Sequence, residues 1–267
     1  MINCPFFVLH YKKNTERRNY LSRSFATTAI RPEFIEEMDR EDFSLDRIYR
    51  FDEEQYTQVI MYIKENIIGT AWGLSEPSLQ ATPWAHCIQL ASQKTPNKDE
   101  TLRIAPYLRP RPASAGEVSL ILKHRIAYER IIDGGFEYAI IAEDDLLFNA
   151  QSEAYLQEIL RLLPNDFDYI DLAGGLGLSP RVGNRLVNGY FYEIDPPRPR
   201  TTCCAILRRG LVERFLRINP PLVGGIDWML IYLFRLIRAK VYWVEPLVFR
   251  HGSQEGAYQS NLAPPSA

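Results

Sequence analysis

Tyr138-Ala-Ile-Ile-Ala-Glu-Asp-Asp145 runs from unbroken apolar character straight into three consecutive carboxylates. A continuous apolar run of this length reads as a strand buried on both faces, in a parallel or mixed sheet covered by helices. Upstream, Ser114-Ala-Gly-Glu117 has the spacing of a capping box. Val118, Ile121, Leu122, Ile126, Tyr128, Ile131 and Ile132 then recur at helical spacing until Asp133-Gly134-Gly135 stops the pattern. A helix therefore leads into the strand. Further out, residues 5–9 predict a buried first strand and Thr15 begins a helix. Downstream, helices are expected over 152–163 and 226–237, and strands over 169–173, 190–194, 202–207 and 240–244. Gly174-Gly175-Leu176-Gly177 lacks the spacing of a dinucleotide fingerprint and reads as a turn. Residues 55–68 have a helical apolar face, whereas the prolines across 69–112 predict a loop-rich, variable segment. Strands alternating with helices make the class α/β, with a mixed central sheet flanked by helices, in one domain spanning 1–267.

Composition narrows the function. With 31 Lys+Arg against 33 Asp+Glu the net charge is −2, so the basic excess that neutralises phosphate backbones is missing and no nucleic-acid partner is expected. At 267 residues and 46% hydrophobic content the chain can bury a large core without a disulfide scaffold. Cys4, Cys87, Cys203 and Cys204 do not have the spacing of a structural zinc site and are expected to be reduced, buried thiols. The N-terminus does not read as a signal peptide, and the most apolar stretch, 228–237, is interrupted by Arg235 and too short to span a bilayer. A cytoplasmic protein is expected, at most peripheral at the inner membrane.

The acidic triplet carries the chemistry. Carboxylates crowded at the end of a buried strand repel one another and require a positive partner, either a basic side chain or a divalent cation. Side chains alternate along extended backbone, so Glu143 and Asp145 face one way and Asp144 the other. Two carboxylates can then share one ion, or Asp145 can bind it while Asp144 reaches a substrate hydroxyl. Mg²⁺ and Mn²⁺ are held by one or two carboxylates plus phosphate oxygens, which makes a nucleoside diphosphate the natural third party. The plain alternative is a solvated acidic turn.

Gly116-Glu-Val-Ser-Leu-Ile-Leu-Lys-His124 followed by Tyr138-Ala-Ile-Ile-Ala-Glu-Asp-Asp145 resembles the signature of glycosyltransferase family 25, which includes bacterial lipopolysaccharide glycosyltransferases and collagen galactosyltransferase domains. Phe7-Val-Leu with Glu16-Arg17-Arg18, Arg200-Thr-Thr-Cys-Cys-Ala-Ile-Leu-Arg208, Gly225-Ile-Asp227-Trp228 and Pro246-Leu-Val-Phe-Arg-His-Gly-Ser253 resemble further family blocks in the expected order. Lys123, where the family often has serine, and the region around His10 depart from the pattern. The resemblance implies a GT-A-type nucleotide-sugar-binding fold and a metal-dependent, inverting transfer of a hexose such as galactose to a glycan or glycolipid acceptor, for instance lipooligosaccharide. Mn²⁺ or Mg²⁺ would be the cofactor. A nucleotidyltransferase or a catalytically inactive adaptor relative are the alternatives.

On that resemblance, Asp145 and His251 would hold the metal, and Arg17, Glu117, His124, Glu143 and Asp144 would bind the donor. Asp227 would be the base that takes the acceptor's proton, with Trp228 and Thr202 on the acceptor side. Each has a structural alternative: a helix-capping aspartate beside a core tryptophan, a solvated loop histidine at 251, a packing histidine at 124, and an exposed arginine pair at 17 and 18.

Overall fold

The computed structural model describes residues 4–54, 112–175, 177–180, 182–218 and 225–259. The helix expected over 55–68, all but the last residue of the loop-rich segment and the Trp228 side chain lie outside the described residues. In chain order the elements are β1 (Phe6–Leu9), α1 (Thr15–Ala26), β2 (Pro32–Ile35), α2 (Leu45–Ile48), α3 (Ala115–Asp133), β3 (Tyr138–Glu143), β4 (Leu146–Leu147), α4 (Ser152–Arg161), β5 (Tyr169–Asp171), β6 (Leu186–Val187), β7 (Phe191–Glu193), β8 (Cys204–Arg208), α5 (Arg209–Ile218), α6 (Ile226–Leu236), β9 (Val241–Val244) and β10 (Arg250–His251). Among the described residues, eight strands form one sheet in the order β2-β1-β3-β8-β5-β9-β7-β6, and β4 pairs with β10 in a second, two-stranded sheet.

Both faces of this sheet are buried, which is why its strands read as continuous apolar runs. Phe7 and Leu9 of β1, Ile141 of β3, Leu207 of β8 and Trp243 of β9 enter one core with Ile121 and Ile131 of α3, Phe215 of α5 and Phe234 of α6. Their alternates, Phe6, Val8, Ile140, Ile206 and Tyr242, enter the other with Leu21 and Phe25 of α1 and Leu156 and Ile159 of α4. The architecture is therefore a mixed α/β sheet covered by helices, as the apolar pattern predicts. The capping box also forms. Ser114 Oγ accepts from the Glu117 amide at 3.2 Å, and Glu117 accepts from the Ser114 amide at 2.8 Å.

Strand direction builds the functional edge. β1, β2 and β3 are mutually parallel, as are β5 and β9, while β8 runs antiparallel between β3 and β5. The start of β8 thus lies beside the ends of β3 and β5, and the Glu143 amide donates to the Cys203 carbonyl at 2.8 Å. The chain after β9 returns to the same edge, where β10 places His251 opposite Leu146. Gly252 completes the approach: its amide donates to the Asp145 carbonyl at 2.8 Å, and a Cβ there would lie 2.6 Å from that oxygen. The sequence reading misses the edge strands β2 and β6, the short helix α2, helix α5 and the β4–β10 pair, whose β10 lies in a tail expected to be loop.

Candidate active site

Strand β3 ends at Glu143, so Asp144 and Asp145 stand in the turn that follows rather than on extended backbone, and they still face apart. Asp144 turns toward the loop after β1 and the start of α1. Its Oδ2 accepts from the Asn14 side chain at 2.9 Å and the Tyr11 amide at 3.2 Å and lies 3.0 Å from His10 Nδ1, while Oδ1 accepts from Arg17 Nη1 at 2.6 Å. Burial pushes its pKa up, but the His10 contact, the Arg17 charge and the Asn14 hydrogen bond outweigh that and hold it below the usual carboxylate range. Arg17 also donates to the Gln259 carbonyl at 2.5 Å and lies 4.9 Å from the Tyr258 ring centre. It is buried, and so differs from an exposed helical arginine; its neighbour Arg18 pairs with Glu36. The positive partner that the triplet requires is, at Asp144, a basic side chain.

Asp145 faces the other way. Its Oδ2 accepts from Ser253 Oγ at 2.5 Å and lies 3.2 Å from His251 Nε2. Its buried Oδ1 has no hydrogen-bond partner among the described residues. Burial opposes ionisation here, yet the His251 interaction and the Ser253 hydroxyl hold the carboxyl at about 2. A buried, ionised oxygen without a donor is costly, and it suits a cation ligand. At His251, burial disfavours the charged ring, but Asp145 first, then Glu143 and Asp227, raise its pKa.

Glu143 and Asp227 meet through one hydroxyl. Thr202 Oγ1 contacts Glu143 Oε1 and donates to Asp227 Oδ1 at 3.0 Å. Burial, followed by the charges of Asp145 and Asp227, pushes Glu143 up to about 8, and burial also raises Asp227 despite the Thr202 hydrogen bonds. One hydroxyl has one hydrogen. The arrangement is satisfied when neutral Glu143 donates to Thr202 and Thr202 donates onward to Asp227. Asp227 sits at the second residue of α6, with Gly225 as N-cap.

Two sequence candidates stand apart from this cluster. Glu117 closes its own capping box, and His124 is buried against Tyr128, their ring centres 5.9 Å apart, with neither ring nitrogen hydrogen-bonded among the described residues. Desolvation lowers the His124 pKa to about 3. Conversely, the site includes residues that the sequence reading did not single out. His10 and Asn14 fasten Asp144, Ser253 bonds Asp145, and the Cys203 thiol lies with Asp145 and His251 in a group whose ligand atoms are all within 4.8 Å of one another. In the sequence Cys203 stands within the Arg200–Arg208 block, directly after Thr202, but its nearness to β3 follows only from strand order. Behind them, Arg200 pairs with Asp171 at 3.1 Å and with Glu245 at 2.5 Å, fixing the chain that enters β8.

Residues 3–177 match the sequence profile of glycosyltransferase family 25, described as an LPS biosynthesis protein. No curated protein matches the chain significantly. The matched span includes the capping-box helix and the whole acidic triplet, and the mixed, helix-flanked sheet is consistent with a GT-A-like fold.

Proposed function

The chain belongs to glycosyltransferase family 25, and on that premise we propose that it is a metal-dependent, inverting hexosyltransferase of lipopolysaccharide synthesis. The donor would be a nucleotide sugar and the acceptor a hydroxyl of a glycan or glycolipid. The observation that carries this reading is an Asp145 carboxylate whose Oδ2 lies 3.2 Å from His251 and whose buried Oδ1 has no partner among the described residues, with Asp227 on the same edge beyond Thr202. Such a pair of sites separates two tasks, holding a cation and taking a proton.

Asp145 and His251 are the residues that would hold Mn²⁺ or Mg²⁺. When bound there, the cation supplies Lewis-acid neutralisation of the departing nucleoside diphosphate. Asp227 accepts the acceptor hydroxyl's proton as the new bond to the anomeric carbon forms and the bond to the diphosphate breaks. Its raised pKa suits a general base at neutral pH. Thr202 orients that carboxylate, and Glu143, neutral at its raised pKa, avoids a further anion beside the donor. Asp144, held by His10, Asn14 and Arg17, keeps the turn after β3 in place, and Arg17 contributes through that pair.

Thermal shift with UDP, GDP and CMP, each with and without Mn²⁺, tests the reading. One nucleotide is expected to raise the melting temperature only when the metal is present. No shift with any combination would overturn it.

A further inference from the structure

Cys203 lies outside the role of a plain core thiol. Its side chain is fully buried immediately before β8, and its carbonyl accepts from the Glu143 amide at 2.8 Å, so the antiparallel pairing of β8 with β3 sets the thiol beside the acidic turn. The Cys203 Sγ, a carboxylate oxygen of Asp145 and a ring nitrogen of His251 all lie within 4.8 Å of one another. One further observation points to a ligand: Asp145 Oδ1 is buried and has no partner among the described residues. Thr201 Oγ1, which donates to the Gly174 carbonyl at 2.8 Å, lies 3.3 Å from His251 Nδ1 and keeps the ring turned with Nε2 toward Asp145 and Ser253.

We propose that Cys203 is the third protein ligand of the cation site, which therefore takes a thiophilic divalent ion of the Zn²⁺, Co²⁺ or Cd²⁺ class in preference to Mg²⁺. The inference rests on the proposed metal site and changes its chemistry. One thiolate, one imidazole and one carboxylate form the three-ligand set of an open tetrahedral centre, leaving the fourth position for a substrate oxygen. A hard ion that demands six oxygen ligands gains little from sulfur. Binding exchanges one water of the hydrated ion for the thiolate and releases the thiol proton to solvent.

The test is a Co²⁺ titration of the full chain, followed by absorption spectroscopy. Wild type and Cys204→Ser are expected to show a near-ultraviolet thiolate-to-cobalt charge-transfer band that saturates at one equivalent. Zn²⁺ should abolish the band stoichiometrically and excess Mg²⁺ should leave it. Cys203→Ser and Cys203→Ala should lack the band and bind Zn²⁺ more weakly, by at least the roughly 10–100-fold that loss of an outer-shell partner costs. Absence of the band in wild type, or its persistence in the Cys203 variants, overturns the proposal. The wild-type spectrum decides alone if neither variant folds. A missing band with intact Mn²⁺-dependent nucleotide stabilisation removes only the thiolate ligand, whereas loss of both removes the glycosyltransferase reading of the site.

Discussion

Asp144 and Asp145 are adjacent and chemically alike, and the turn after β3 sends them to different neighbours. Asp144 closes a buried ion pair with Arg17 at 2.6 Å. Removing one member of such a pair strands the other, at a cost of about 3–5 kcal/mol. Asp144→Ala should therefore lower unfolding stability by that order in urea melts; a change below about 1 kcal/mol would mean Arg17 finds water or another partner. Thr202 offers a second residue-scale test, because its hydroxyl is shared between Glu143 and Asp227. Thr202→Val should reduce kcat about tenfold, equivalent to about 1.4 kcal/mol, with the donor KM unchanged, and Thr202→Ser should restore it. Equal losses in both variants would assign the defect to packing. The opposite facing of Asp144 and Asp145 is expected from the sequence, although the backbone that produces it is the turn after β3 and not the strand. Their partners His10, Asn14 and Ser253 are not legible, because they arrive from sequence-distant elements.

At the level of elements, local signals are the most legible. The capping box at Ser114 and the apolar stripe of α3 need no tertiary information, and the helix begins where they predict. Ser114→Ala should cost about 0.5–2 kcal/mol, measured by thermal or urea unfolding. By contrast, β2 hides because Pro32-Glu33-Phe34-Ile35 is a short edge strand whose Glu33 is exposed. Helix α5 hides because Gly210, a weak helix former, stands in its first turn. The β4–β10 pair is only two residues long on each side, and its register depends on Gly252. Gly252→Ala would push a methyl against the Asp145 carbonyl and the Tyr258 ring. Weakened Mn²⁺ or Co²⁺ binding, read by calorimetry, is the expected result; unchanged affinity would show that the loop can shift without disturbing Asp145 and His251.

For the molecule as a whole, acid stability reflects groups buried in one protonation state. His124 has a folded pKa of about 3 against an ordinary 6.5. Between those values the unfolded chain binds a proton that the folded chain does not, so stability falls as pH drops from 6.5 to 3 and this contribution then levels off. The slope approaches about 1.4 kcal/mol per pH unit. Asp144 and Asp145, both lowered, add losses in the same direction at more acidic pH. His124→Phe should flatten the urea-derived stability profile between about pH 6 and pH 4.5, above the ordinary aspartate range; a profile parallel to wild type would contradict that assignment. The near-neutral net charge of −2 conceals a cluster of buried and half-buried acids on one sheet edge, with the half-buried His251 facing Asp145. The most direct test is nucleoside diphosphate release from UDP-glucose, UDP-galactose and GDP-mannose, with and without divalent metal, by wild type and Asp145→Asn. The account predicts metal-dependent turnover of at least one donor, reduced on the order of 10²–10³-fold in the variant. Metal-independent turnover, or turnover unchanged in Asp145→Asn, would contradict it.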